Sequence, residues 1–367
     1  MRAPILFAAA PEPGRAFVER WRGFRPSFWC VLAHTDTCLV PGLSAAGASE
    51  ELRPLTPAAD AEVVNLGAPR CLPRLPSNPL GAAGPAGITR AALAMAGVDA
   101  MFVGAGLRVW PATECRRISC EPGGNIERGC AVRGAAELFE LGQQLGRECR
   151  ERYLVLGESV PGGTTTALAL LLALGYAAEG RVSGSQAGNG HALKIRVARS
   201  ALNATGWAPG DGRADPLTAV CNVGDPMQPL AAGVVLGATQ AGCDVLLAGG
   251  SQMLAVAALL QALRGSQALE RVAIGTTRWV VEDPAADVPG LAAEISGHLA
   301  VLAANLDFSA SRHDALRAYE GFLVKEGVGA GGASIAALLH TGQPIEQLEA
   351  AIDATYDGLL GRLNAPV

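Results

Sequence analysis

The strongest constraint on the fold is a repeated local pattern: a short apolar run, a glycine-bearing turn, then a longer Ala/Leu segment of helical period. It is written out in YLVLG-ESVPGGTTTALALLLAL, in TAVCNVGDPMQPLAAGVVLGAT and in DVLLAGGSQMLAVAALLQAL. Strand-length runs fall at Trp29 to Ala33, Ala100 to Gly104, Tyr153 to Gly157, Thr218 to Val223, Asp244 to Gly249 and Arg271 to Gly275. Apolar strands separated by helices are what a parallel sheet demands, because crossover helices bury it on both faces. The expected class is α/β. The turns of such a sheet lie along its carboxyl edge, where helix N-termini turn free N–H groups toward a ligand. An anion site assembled from several loops is therefore expected.

Composition sets the limits. With 367 residues, 50% of them apolar and 17% charged, the chain can bury a large core, one large domain plus a smaller one. A net charge of −5 with both signs interspersed gives no basic stripe for a phosphate backbone, so nucleic acid is not an expected partner. Nine cysteines, odd in number and never spaced C-x-x-C, read as free thiols in a reducing, cytoplasmic compartment. A zinc site from Cys115, Cys120 and distant His191 is the weaker alternative, since zinc ligands usually come in closer pairs. The start, MRAPILFAAA, imitates a signal peptide but reads better as a first buried strand. No apolar run reaches the roughly 20 residues of a membrane span, so no membrane partner is expected. From about Glu282 onward the sequence turns mostly helical, which reads as a smaller lobe.

Four motifs carry candidate chemistry. In Glu158-Ser159-Val160-Pro161-Gly162-Gly163-Thr164-Thr165-Thr166, glycines admit a ligand close to the backbone, and hydroxyls with helix-start N–H groups suit phosphate. The plainer reading is a threonine-capped strand-to-helix turn. In Val223-Gly224-Asp225-Pro226-Met227, Asp225 is either a ligand contact or an N-cap before a proline at the first helical position. Gly249-Gly250-Ser251 repeats the strand, glycine pair and helix design, or permits close helix packing. In Lys325-Glu326-Gly327-Val328-Gly329-Ala330-Gly331-Gly332, a carboxylate sits in a backbone-rich loop, either beside a bound anion or as a solvated linker residue.

Absences narrow the classes. No Walker lysine follows the Gly/Thr turn, and there is no G-x-S-x-G elbow, H-E-x-x-H helix or dinucleotide glycine fingerprint with its ribose-binding acid. The paired acids with which diphosphate-using phosphoribosyltransferases handle ribose and Mg²⁺ are also missing. The five histidines are dispersed.

Taken together, nine segments resemble the nicotinate mononucleotide-dependent phosphoribosyltransferases of the CobT type, in their archaeal and cyanobacterial branch. They are VPGLSAAG (Val40 to Gly47), TPAADAE (Thr56 to Glu62), GITRAA (Gly87 to Ala92), GESVPGGTTTALA (Gly157 to Ala169), NVGDPMQP (Asn222 to Pro229), LLAGGSQMLAV (Leu246 to Val256), TTRWVVEDP (Thr276 to Pro284), NLDFSASR (Asn305 to Arg312) and KEGVGAGGA (Lys325 to Ala333). The resemblance implies a Rossmann-like parallel sheet in three layers, residues 30–285, and a smaller, mainly helical lobe from residues 1–29 and 286–367 that carries the glutamate loop. It implies a homodimer, and phosphoribose transfer from nicotinate mononucleotide to a lower-ligand base, 5,6-dimethylbenzimidazole or a relative such as adenine, in cobamide biosynthesis. Matched to the family's motifs, Glu326 is the catalytic base and Glu158 a second catalytic acid. Gly162, Gly163, Thr164, Thr165, Gly224, Asp225, Gly249, Gly250, Ser251, Gly327 and Gly329 bind substrate and phosphate. The turn at Glu158 to Gly163 departs from the bacterial branch, which has an asparagine before the threonines. Because the donor carries a pyridinium at its anomeric carbon, departure of nicotinate cancels a charge, and no metal or other cofactor is expected. The rival from another class is a nucleotide or base sensor that kept the fold without turnover.

Overall fold

The computed structural model describes residues 2–47, 49–73, 75, 80–119 and 121–363. Eight strands form one sheet: β1 (Ile5–Ala9), β2 (Ser27–Leu32), β3 (Ala100–Ala105), β4 (Cys115–Ser119), β5 (Tyr153–Ser159), β6 (Asp244–Ala248), β7 (Val272–Thr277) and β8 (Ala300–Ala304). Their order is β1-β8-β7-β6-β5-β2-β3-β4, parallel throughout except for β1, which runs antiparallel to β8 at one edge.

Because successive strand side chains point to opposite faces, unbroken apolar runs feed two cores at once. Trp29, Val31, Leu154, Leu156, Val245 and Leu247 enter one core, while Phe28, Cys30, Leu32, Val155, Leu246 and Ala248 enter the other. The first face is covered by helices Ala135–Arg147, Gly163–Ala173, Met227–Gln240 and Ser251–Arg264. Pro11–Trp21, Ala86–Ala96, Ala330–Thr341 and Ile345–Leu363 cover the second. The result is a three-layer α/β architecture, as expected.

Two strand expectations change. Thr218 to Val223 lies in a helix, Pro216–Val223, started by the Asp215 carboxylate accepting the Thr218 N–H. NVGDPM is thus a helix-to-helix turn, and Gly224 stands at a helix C-terminus instead of a strand end. The segments expected as a helical lobe also build the sheet, since 1–29 supplies β1 and 286–367 supplies β8. β1 is an edge strand, buried only at Ile5. The described cysteines are free, and Cys120 lies outside the described residues. Among the described residues no helix is long and apolar enough to cross a membrane, and no group of three or more His, Cys, Asp or Glu is placed to hold a metal ion.

Candidate functional site

From β2 the chain moves outward through β3 to β4; from β5 it moves the other way through β6, β7 and β8. The crevice beyond the carboxyl ends of β2 and β5 is therefore a topological switch point, where open α/β sheets bind ligands. A cleft opens there. It is lined by the turn after β5, the Ser251 helix start after β6, the Ser183–Gln186 segment, the Glu326 loop, residues 43–47, and Thr56 with Asp60.

One end suits an anion. Gly162 adopts φ +81, which lets the β5 turn reverse into helix Gly163–Ala173. A Cβ on Gly163 would lie 1.8 Å from Gln252 Oε1, so glycine is what admits that amide to the turn. The Thr165 hydroxyl is fully buried, lines the cleft and has no partner among the described residues. Lys194 reaches the same end from helix His191–Thr205; its ammonium donates to the Asn189 carbonyl and to Gln186 Oε1, and among the described residues no carboxylate pairs with it. Burial, then the nearby Lys325 charge, lowers its pKa to about 8. A buried ammonium without a counter-ion is a place for a ligand's negative charge.

Glu326 is held by a strained loop. Phe322, Val324 and Val328, none of them glycine, have φ of 57, 54 and 55. Left-handed backbone at β-branched residues costs about 1–3 kcal/mol each and persists only where the surroundings over-determine it. Here the Val324 N–H donates to the Ser185 carbonyl at 3.2 Å and the Val328 N–H to the Glu158 carbonyl at 2.8 Å. The hydroxyls of Thr89 and Thr277 donate to the carbonyls of Val328 and Lys325. Gly329, at φ +68, lies so close to β5 that a Cβ would stand 3.1 Å from Gly157 Cα, which locks the loop against the strand end that carries Glu158.

The carboxylate of Glu326 accepts the N–H groups of Gly327 and Gly331 at 3.1 Å and the Thr276 hydroxyl at 3.2 Å. Withdrawal from water outweighs these donors and raises its pKa to about 7. Glu158, fully enclosed at the end of β5, is raised to about 8, first by burial and then by the charges of Glu326 and Asp225. Asp60 is raised to about 7 by burial, against a hydrogen bond from Ser159. Around Lys325 charges are matched instead. Lys325 donates to Asp283 and to the Asn189 amide oxygen, both at 2.7 Å, and Asn189 donates to the same carboxylate at 2.8 Å.

Of the residues singled out from sequence, Glu158, Glu326, Gly162, Gly163, Thr164, Thr165, Gly250, Ser251 and Gly327 meet at this cleft. The Ser251 hydroxyl is engaged within the protein, accepting the Ser183 N–H at 2.7 Å and donating to the Ser183 carbonyl at 3.1 Å. Gly224, Asp225, Gly249 and Gly329 do not line it. Asp225 is fully buried, accepts the Met227 N–H at 3.0 Å across the turn before that helix, and takes the Thr166 hydroxyl at 2.5 Å, so it braces the threonine turn from behind. Gly249 donates its N–H to the Gly275 carbonyl at 2.9 Å, between β6 and β7. Sequence reasoning gave no role to Asp60, Lys194 or Gln252: Asp60 and Gln252 sit inside the matched segments TPAADAE and LLAGGSQMLAV without being singled out there, and Lys194 stands on an ordinary-looking helix with no motif around it.

A family model described as phosphoribosyltransferase matches residues 80–279. The UPF0284 protein of Methanothermobacter thermautotrophicus is 43% identical over 338 residues, covering 91% of this chain and 93% of that one. The UPF0284 protein of Gloeobacter violaceus is 44% identical over 372 residues, covering 99% and 95%. Among solved structures, the nicotinate-nucleotide-dimethylbenzimidazole phosphoribosyltransferase of Thermus thermophilus matches with a TM-score of 0.55 at 19% identity, covering 94% of this chain and 91% of that one. A structure of CobT from the same organism matches at 0.57 and 18%, covering 94% and 92%. These two likenesses establish a shared fold.

Proposed function

The chain belongs to the CobT-like phosphoribosyltransferase family, and we propose that it transfers phosphoribose from nicotinate mononucleotide to an aromatic nitrogen base, with Glu326 as general base. The observation that carries this reading is the division of one cleft: an anion-suited end at Thr165 and Lys194, and beside it two enclosed carboxyls, Glu158 and Glu326, whose proton affinities lie near neutrality.

In this mechanism the Gly162–Thr165 turn and Lys194 hold the 5′-phosphate, which fixes the anomeric carbon relative to the glutamates. The acceptor's ring nitrogen attacks that carbon on the face opposite nicotinate, forming one C–N bond as the other breaks. The attacking ring then carries a positive charge, and its N–H becomes acidic. Glu326 takes that proton; a base whose pKa lies near the working pH combines availability with driving force. Glu158, protonated at neutral pH, orients the acceptor by donating a hydrogen bond. Most of the remaining acceleration comes from holding two substrates in line. No metal enters any step. The setting proposed is a cytoplasmic homodimer supplying a base nucleotide for cobamide biosynthesis.

Incubation with nicotinate mononucleotide and a panel of benzimidazoles and purines, with chelator present, tests the reading by chromatography of free nicotinate. Nicotinate release that requires a base supports transfer. Tight binding of donor and base with no release supports a sensor in its place.

A further inference from the structure

One carboxyl in the cleft has no part in ribose transfer. Asp60 lies in helix Thr56–Leu66, is 4% exposed, and lines the cleft with Glu158 and Glu326. The Ser159 hydroxyl donates to its Oδ2 at 2.7 Å; among the described residues no other donor reaches the carboxyl and no lysine or arginine pairs with it. Its charged neighbour is itself an acid, Glu158, so on the protein side the Ser159 hydroxyl alone works against its burial among the described residues. Elsewhere the chain matches such groups: Asp283 has Lys325 and Asn189, and Glu62 takes the N–H groups of Arg70, Cys71 and Ala112. A buried polar group left short of partners in a ligand cleft is one the ligand satisfies.

Resting on the transfer reading above, we propose that Asp60 determines which base is accepted: its free oxygen receives a hydrogen bond from an exocyclic amino group on the acceptor. The acceptor class is then an amino-substituted purine-type heterocycle, preferred over one with a hydrocarbon edge such as 5,6-dimethylbenzimidazole. The methyl edge of the latter would press against the carboxyl, removing its remaining water and giving no hydrogen bond in return. Sites built to hydrogen-bond a substrate discriminate strongly against analogues lacking that group, because the buried protein partner is left unpaired. The reverse arrangement, an apolar pocket receiving an extra polar group, discriminates far less.

The test is kcat/KM for 6-aminopurine and for 5,6-dimethylbenzimidazole at saturating nicotinate mononucleotide, in the wild type, Asp60→Asn and Asp60→Leu. The wild type is expected to favour the aminopurine by about 10²-fold or more. Asp60→Leu is expected to lose about 10²-fold on the aminopurine while staying within about threefold on the dimethyl base, and Asp60→Asn, whose amide oxygen still accepts, to lose about tenfold. A wild type that prefers the dimethyl base overturns the proposal even if the leucine variant does not fold. Equal losses on both bases in Asp60→Leu overturn it as well. Nicotinate release with no base preference removes the role of Asp60 and leaves transfer standing; no release with any base removes both.

Discussion

The paired charges around Lys325 and the unpaired acids that face the cleft are built on opposite principles. At Lys325, Asp283 and Asn189 every charge meets its counterpart within 2.8 Å, and Asp283 is held below the usual carboxylate range although burial pushes the other way. At Asp60, Glu158 and Glu326, three acids face the cleft and, among the described residues, no lysine or arginine pairs with any of them, and each holds its proton near or above neutrality. Matched burial fixes backbone in place; unmatched burial keeps a proton available and leaves a partner to be supplied by ligand. Lys325 and Glu326 are adjacent in the chain, so the strained loop points one residue into each regime.

The contrast breaks most sharply at Glu326. Glu326→Gln keeps the shape and the ability to accept the Gly331 N–H but cannot take a proton, so kcat is expected to fall by about 10²–10⁴-fold with little change in donor affinity. Next comes Lys325→Met, which strands Asp283 and is expected to cost about 3–5 kcal/mol of stability in denaturant unfolding. The double variant Lys325→Met/Asp283→Leu is expected to regain most of that, since both charges leave together.

Glu158 shows the opposite sign. Its folded pKa of about 8 lies above the unfolded value of 4.5, so the folded state holds its proton longer. Its contribution is complete below pH 4.5 and is lost as pH rises through about 8. Glu158→Gln removes that loss and is expected to raise stability by roughly 4 kcal/mol at pH 8.5 and by less than about 1 kcal/mol at pH 5, measured by thermal unfolding across the range. Asp60 and Glu326 titrate with the same sign, so the slope flattens without vanishing. The smallest effect is expected at the anion end. Thr165→Val removes one buried hydroxyl, and KM for nicotinate mononucleotide is expected to rise about tenfold with kcat nearly kept, the worth of one hydrogen bond.

The α/β class was legible because β5, β6 and β7 announce themselves as apolar runs of strand length, the first two ending in glycine-bearing turns. Thr218 to Val223 shows the limit, because a short apolar run with β-branched residues satisfies strand and helix alike. Asp215-Pro216 just before it was the deciding helix signal. β4, CRRIS, and β8, AVLAA, escaped for opposite reasons, one being a polar edge strand and the other alanine-rich. The glycine turns and both glutamates were legible because their chemistry is written in contiguous motifs. Asp60 and Lys194 were not, since their meaning lies in the missing opposite charge among the described residues, and ion pairing is settled only when distant segments pack. The left-handed Val324 and Val328 carry no sequence signal either, as valine is among the residues least suited to that conformation.

The most direct measurement of the central claim is the pH dependence of kcat/KM for nicotinate mononucleotide at saturating base. With Glu326 ionised and Glu158 protonated in the working state, the pair is expected to give a bell whose limbs lie near pH 7 and pH 8, and Glu326→Gln is expected to erase the acid limb. A profile flat from about pH 5.5 to 9, or an acid limb that survives in Glu326→Gln, would contradict the role of Glu326 as the base.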